Sequence, residues 1–383
     1  MKHLSPLLSS FALGLAVALC AVPAEAAPAK KKPAVSKTAK KKAAKPKVAP
    51  GAITAGHEAS PGMKAAAAAL ALAAAGDASA TQAAQALKLA GNTPRAAADI
   101  LNTAPPEAWR EPDPSHLVLM EFKLATQPEP AQVLMELAPQ FAPQHTANIR
   151  ALVRGGYFNG LSVLRVQDNF VTQWGDPNEG PTAKALPAEA QAKLPAEFDV
   201  ALAGLPLHAL AENDGWAPLS GFVDGFAVAA DPARTPQGRA WLAHCYGAVG
   251  AGRGNEIDSS NGSSLYAIVG QPARSLDLNI TVVGRVLKGI EHLAALPRGS
   301  GNMGFYGGAE AKAPLMRARL LADLPAAERP TVKVLRTDSA AWFELLQSRR
   351  HRGGWFVYSP GRVDLCSAAV PVRVQGPGAP VGP

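Results

Sequence analysis

From His116 to Leu124 the chain reads HLVLMEFKL, and from Gln132 to Leu137 it reads QVLMEL. Two short apolar runs separated by the stretch Ala125–Ala131 predict a β-hairpin. The period then changes. Pro143 to Gly155 (PQHTANIRALVRG) has amphipathic helical spacing and closes on Gly155-Gly156, a helix stop. Several short apolar runs with Gly-rich turns follow, and that density of strands predicts a barrel or a sandwich.

Helical patterning flanks this centre on its N-terminal side. Lys64 to Ala75 is a dense Ala run, broken at Gly76-Asp77; Thr81 to Ala90 predicts a second helix, ended by Gly91-Asn92. Thr93 as cap and Pro94 at the first helical position start a third, running to about Leu101. This extension, residues 62–108, carries no cluster of acids, His or Cys, and no chemistry is assigned to it. On the C-terminal side, residues 326–383 hold two strand-like runs, TVKVLRTDS and GGWFVYSPGRVDLC, around a helical Ala340–Ser348. Arg349-Arg350-His351-Arg352 reads as a solvated helix end. This part is expected to pack on the barrel as an appendage.

Composition changes the picture at the N-terminus. The 383 residues carry a formal net charge of +8. Nine Lys and no acid lie between Ala27 and Pro50, Lys2 and Glu25 cancel, and residues 51–383 therefore sum to 8 − 9 = −1. The basic character belongs to one tract, so no nucleic-acid partner is expected for the folded part. The Lys-, Ala- and Pro-rich stretch 27–61 is too poor in large apolar residues to fold alone and reads as a linker, one that can touch envelope polymers or a membrane surface electrostatically. Residues 1–26 read as a secretory signal: Lys2-His3, an apolar run from Leu7 to Val22, then the small-x-small site Ala24-Glu25-Ala26. An exported, periplasmic protein is expected. The alternative is an inner-membrane anchor formed by an uncleaved signal. After cleavage Cys245 and Cys366 remain, either as one disulfide or as two separate buried thiols.

No GxxxxGK[ST] loop, CxxC pair or HExxH helix occurs, and no metal or cofactor is expected. The run Gly250–Gly254 is followed by turn residues, not a helix start, which argues against a nucleotide loop. His244 reads as a structural histidine, with no Ser or Cys nucleophile context around it.

Three stretches in order carry a resemblance. Glu136-Leu-Ala-Pro-Gln-Phe-Ala-Pro143 leads through Asn148 to Gly156-Tyr-Phe-Asn-Gly160. Leu164-Arg-Val-Gln-Asp-Asn-Phe-Val-Thr-Gln-Trp-Gly-Asp176 is the most specific piece. The third runs from Gly247-Ala-Val-Gly-Ala-Gly252 through Asn261-Gly-Ser-Ser-Leu-Tyr-Ala-Ile268 to Leu276-Asp-Leu-Asn-Ile-Thr-Val-Val-Gly-Arg-Val286. Together they resemble the cyclophilin-type peptidyl-prolyl cis/trans isomerases. The resemblance covers about residues 116–325 and implies a mainly β fold, an eight-stranded antiparallel barrel capped by two helices, within a barrel region 109–325. Arg317 to Leu324 would be its last strand. Residues 178–240 exceed what a compact member needs and read as inserted loops, with Trp216 to Ala230 as an extra strand.

The resemblance also implies a site. Arg165 stands at the family's catalytic arginine, with Gln173 placed to hold its guanidinium by accepting a hydrogen bond. Phe170, Val171, Tyr266, Leu276 and Ile280 would line a slot for the proline ring. Gly252 and Arg253 fall where substrate backbone binds. Ser264, Ser275 and Ile280 depart from the usual Gln, Trp and His or Tyr. Those departures bear more on cyclosporin binding, through a lost indole wall, than on catalysis. The implied activity is isomerisation of X-Pro bonds in unfolded or exported polypeptides by a monomer. The alternative is a weakly active or inactive Pro-peptide-binding module or chaperone of the cell envelope.

Overall fold

The computed structural model describes residues 95–178, 180–307 and 313–377. The signal, the Lys-rich tract and the helices expected over 64–75 and 81–90 lie outside the described residues. The third expected helix is present but begins later, as α1 (Ala97–Thr103), and Ala96 at its cap offers no side-chain acceptor.

The chain then enters β1 (Trp109–Arg110), β2 (Leu117–Phe122), β3 (Ala131–Leu137), α2 (Pro143–Arg154), β4 (Ser162–Val166) and β5 (Val171–Gly175). An insertion contributes β6 (Val200–Ala201), β7 (His208–Ala209), β8 (Leu219–Val223), β9 (Phe226–Asp231) and β10 (Arg239–Leu242). Next come β11 (Ala248–Ala251), β12 (Leu265–Ile268), β13 (Val282–Lys288), α3 (Ile290–Ala294) and β14 (Leu315–Leu320). The C-terminal part is β15 (Thr331–Leu335), α4 (Ala340–Arg350) and β16 (Val372–Gln375).

Eight strands form one antiparallel sheet in the order β14-β2-β3-β13-β11-β12-β5-β4. A bridge from Ser162 in β4 to Pro314, just before β14, draws its two edges together into a nearly closed barrel. The expected β2–β3 hairpin is present and pairs Leu117 opposite Glu136 through Phe122 opposite Ala131. Val118, Met120 and Phe122 face the barrel core, with Val133, Met135 and Trp174. Leu117 and Leu119 point outward and are covered by Leu321, Leu324 and Val332. Two buried faces explain why LVLMEF reads as a continuous apolar run. α2 begins at Pro143 without a cap of its own. Glu197, from the insertion, accepts the backbone N–H groups of Gln144 and His145 at 2.9 Å each, supplying a negative charge at the helix N-terminus.

The insertion is more than loops. Its strands make a five-stranded sheet, β6-β10-β9-β8-β7. The expected single strand over 216–230 is a hairpin of β8 and β9, because Asp224 (φ +48°) and Gly225 (φ +83°) make a turn needing two left-handed residues. The C-terminal sheet is β1-β15-β16. The expected strand over GGWFVYSPGRVDLC is absent: Gly353-Gly354 and Pro360-Gly361 interrupt it, and its aromatic residues are exposed. The strand pairing with β15 comes later, at β16. Nor is the Arg349–Arg352 cluster wholly solvated. Arg350 pairs with Glu212 of the insertion, and Arg349 lies over the Trp342 ring.

Two devices join the three sheets. Glu136 on β3 is buried between Arg110 (2.6 Å) and Arg285 (3.1 Å). Both arginines also donate to the β8–β9 turn, at the carbonyls of Asp224 and Gly225. Cys245 and Cys366 form a disulfide that ties the loop between β10 and β11 to the C-terminal part.

Candidate active site

β4 and β5 run antiparallel with Arg165 opposite Gln173. Arg165 is 9% exposed. Its Nε donates to the Met303 carbonyl at 2.7 Å, and one terminal nitrogen, Nη2, donates to Gln167 Oε1. The other, Nη1, donates to no protein group among the described residues. Phe170 and Phe305 lie against the guanidinium, with ring centroids 5.6 and 5.4 Å from its carbon. Burial pushes the Arg165 pKa down from its ordinary value, with the nearby Tyr266 phenol acting in the opposite direction. An arginine stays charged under such a shift.

Gln173 does not hold the guanidinium as expected. Its amide nitrogen donates to Ser264 Oγ at 3.0 Å, because Ser264 precedes β12, which pairs with β5 on its other side. Gln167 takes the role assigned to Gln173. Met303 was invisible in the sequence. It sits at φ +56° in the turn Asn302–Gly304, 138 residues from Arg165, and presents its carbonyl from a conformation unusual for a residue with a Cβ.

Phe170, Val171, Tyr266, Leu276 and Ile280 all belong to one apolar cluster on the outer face of the barrel. Val171 and Tyr266 are buried; Phe170, Leu276 and Ile280 are half-buried. The cluster continues into Leu202, Leu205 and Leu207 of the insertion, which the sequence did not connect to the slot. Gly252 follows β11, and a Cβ there would lie 3.3 Å from Ser264 Oγ. Arg253 is fastened to the neighbouring loop: Nε donates to the Asn279 carbonyl, and Nη1 to those of Gly254 and Asn255. Ser275 is exposed.

Behind Tyr266 lies a polar chain. Its hydroxyl is 2.9 Å from His244 Nε2, and His244 Nδ1 is 2.9 Å from Asp277 Oδ1. Asp277 also accepts from Trp241 Nε1 and from Arg274 Nε; Arg274 reaches Asp214 with Nη1. With the carboxylate accepting at Nδ1, a neutral His244 has Nε2 free to accept the Tyr266 O–H. Burial drives the Tyr266 pKa far above the ordinary phenol value, with the Asp277 charge adding to it, so the hydroxyl keeps its proton. Gly250, opposite Tyr266 across β11 and β12, makes room: a Cβ there would lie 2.2 Å from the phenol oxygen. His244 is thus fully buried and bridges Asp277 to the hydroxyl of Tyr266. A separate cavity of ≈ 340 Å³ opens elsewhere, between barrel and C-terminal part; it is lined by Phe226, Tyr246, Arg285 and Cys366 and by none of the slot residues.

The model of the family "Cyclophilin type peptidyl-prolyl cis-trans isomerase/CLD" matches residues 121–314, half of the chain. The chain belongs to the cyclophilin family. As a cyclophilin it is a peptidyl-prolyl cis/trans isomerase. It is similar to the probable peptidyl-prolyl cis-trans isomerase of Brucella suis biovar 1, at 29% identity over 188 residues, which cover 49% of this chain and 74% of that protein. The Brucella abortus (strain 2308) protein of the same description is 28% identical over the same length. Among solved structures, cyclophilin AquaCyp293 from Hirschia baltica superposes with a TM-score of 0.56 at 25% identity, covering 71% of this chain and 95% of that one. That overlap is wider than the stretch matched by the family model.

Proposed function

We propose that this cyclophilin isomerises X-Pro bonds in exported polypeptides and does so in the periplasm. The barrier is electronic: partial C–N double-bond character costs about 18–20 kcal/mol on rotation. No covalent step is needed. A site has only to bind the twisted imide better than either planar form. The apolar cluster around Phe170, Tyr266 and Leu276 supplies a seat for the proline ring. As the amide twists, the prolyl nitrogen regains a lone pair, and Arg165 Nη1 is the donor left to meet it. Gln167 and the Met303 carbonyl hold the other side of the fork, so little reorganisation accompanies the reaction. The observation that carries this reading is a buried guanidinium, fixed on one edge and unpartnered on the other, beside an apolar slot.

Ser264 binds Gln173 where the family usually has Gln, and this pair lies beside Gly252 and Arg253, the segment suited to substrate backbone. Export is supported by the N-terminal signal pattern and by the Cys245–Cys366 disulfide, a bond characteristic of oxidising compartments. NMR exchange on an Ala-Pro peptide, with cell fractionation of the tagged full chain, tests both halves. Exchange accelerated by the purified protein, and recovery from the periplasmic fraction, are the expected results. Peptide binding without acceleration would favour a Pro-binding chaperone instead. Recovery from the cytoplasm would remove the export reading.

A further inference from the structure

The C-terminal part carries a feature that the isomerase reading does not use. Between α4 and the disulfide the chain projects a loop whose tip is Trp355-Phe356-Val357-Tyr358. Their exposures are 88%, 41%, 104% and 79%. Four consecutive large apolar residues left in water are costly and mark a contact surface. The root of the loop is closed: Arg352 N donates to Ser359 Oγ at 3.0 Å, and Ser359 Oγ donates to the Arg350 carbonyl. Arg350 is anchored by Glu212, and Cys366, a few residues beyond the tip, is bonded to Cys245. The tip is therefore presented from a fastened base.

The geometry points to an anionic lipid bilayer as the surface this tip enters. Three observations favour lipid over a protein partner. The tip is one continuous apolar patch, with the Trp355 and Phe356 rings edge to face at 5.3 Å and Val357 and Tyr358 open to solvent beside them. Its residues are the types that settle at a membrane interface, where Trp and Tyr keep a polar edge in the headgroups. Its charge is one-sided: Arg352 and Arg362 are exposed on either side of the tip, and no Asp or Glu occurs from residue 349 to 363. Arg352 already lies over the Phe356 ring, 5.0 Å from its centroid, so the cation would sit at headgroup depth while the rings enter the acyl boundary. Among the described residues no helix is long and apolar enough to cross a membrane.

The test uses the full chain with vesicles of phosphatidylglycerol and phosphatidylethanolamine, against vesicles of phosphatidylcholine. Sedimentation is run at low and at raised salt, since salt weakens any contribution of the Lys tract. The parent is expected to partition onto the anionic vesicles. The triple variant Trp355→Ser, Val357→Ser, Tyr358→Ser is expected to bind about tenfold more weakly or worse, with its isomerase rate unchanged as proof of folding. The chain has six tryptophans, so Trp355 is isolated by difference against Trp355→Phe. Its emission should shift to the blue and be quenched by brominated lipid. Arg352→Gln with Arg362→Gln should lower the preference for anionic over zwitterionic vesicles. Equal sedimentation of parent and triple variant, or no quenching of Trp355, would overturn the proposal and leave the tip to a protein partner.

Discussion

Tyr266 shows how one atom alters a site. Beyond what Phe would offer, Tyr266 brings a hydroxyl, and the hydroxyl is matched by His244, itself held by Asp277. Tyr266→Phe keeps the ring against the slot but strands His244 Nε2 in a buried place. The variant is expected to lose about 1–3 kcal/mol of stability in urea unfolding, with isomerase turnover changed little. A variant as stable as the parent would show that the chain behind the slot holds nothing in place. Arg165 illustrates the limits of reading residues along the chain. Its neighbours Phe170 and Gln173 were legible because they lie on the same strand-turn-strand. Gln167 was within reach too, but two glutamines flank the same turn, and only the register with β5 and β12 tells which one is diverted to Ser264. Met303 and Phe305 had no signal at all, since they come from a turn more than a hundred residues away.

At the scale of elements, the β2–β3 hairpin follows from two short apolar runs with a break between them, and α2 from helical spacing ended by Gly155. The insertion was harder. β6 and β7 are two residues each, too short to leave a pattern, and the Asp224-Gly225 turn is hidden within a run that looks continuous. The turn before β13 carries the buried chain. Burial raises the Asp277 pKa, but the hydrogen bonds from His244 and the Arg274 charge outweigh it and hold the group below its ordinary value. Glu197 at the start of α2 is lowered in the same way, against burial, chiefly by its bond from His145 and the helix N–H groups. A depressed folded-state pKa gives stability that is complete above the ordinary carboxylate range, about pH 4, and is lost as pH falls through the folded value. Urea midpoints should therefore drop steeply from about pH 4 downward. The drop should be shallower in Asp277→Asn, a variant already weakened at neutral pH by the Arg274 charge it leaves short of a partner. A parent profile flat to about pH 3 would contradict this.

Across the whole molecule, three sheets meet on one barrel. The eight-stranded sheet provides the proposed site, the inserted sheet extends the apolar cluster beside it, and the C-terminal sheet covers the outward face of β2. The disulfide spans 121 residues of sequence and joins the loop after β10 to the segment before β16. Constraining so long a loop in the unfolded chain contributes about 4–5 kcal/mol. Reduction, or Cys366→Ser, should lower stability by that order while leaving the barrel's isomerase activity measurable under native conditions. Unchanged denaturation after reduction would mean the bond restrains little. The sequence named both cysteines without choosing between pairing and separate burial, because pairing depends on where the C-terminal part docks.

The central claim is that a fixed guanidinium beside an apolar slot lowers the torsional barrier of a bound imide. The kcat/KM for a Pro peptide, measured for the parent, Arg165→Lys and Arg165→Ala, tests it most directly. Arg165→Ala is expected to fall about a hundredfold or more with peptide affinity largely kept, and Arg165→Lys to lie between, since it keeps the charge and loses the fork. An alanine variant that turns over peptide as fast as the parent would contradict the account.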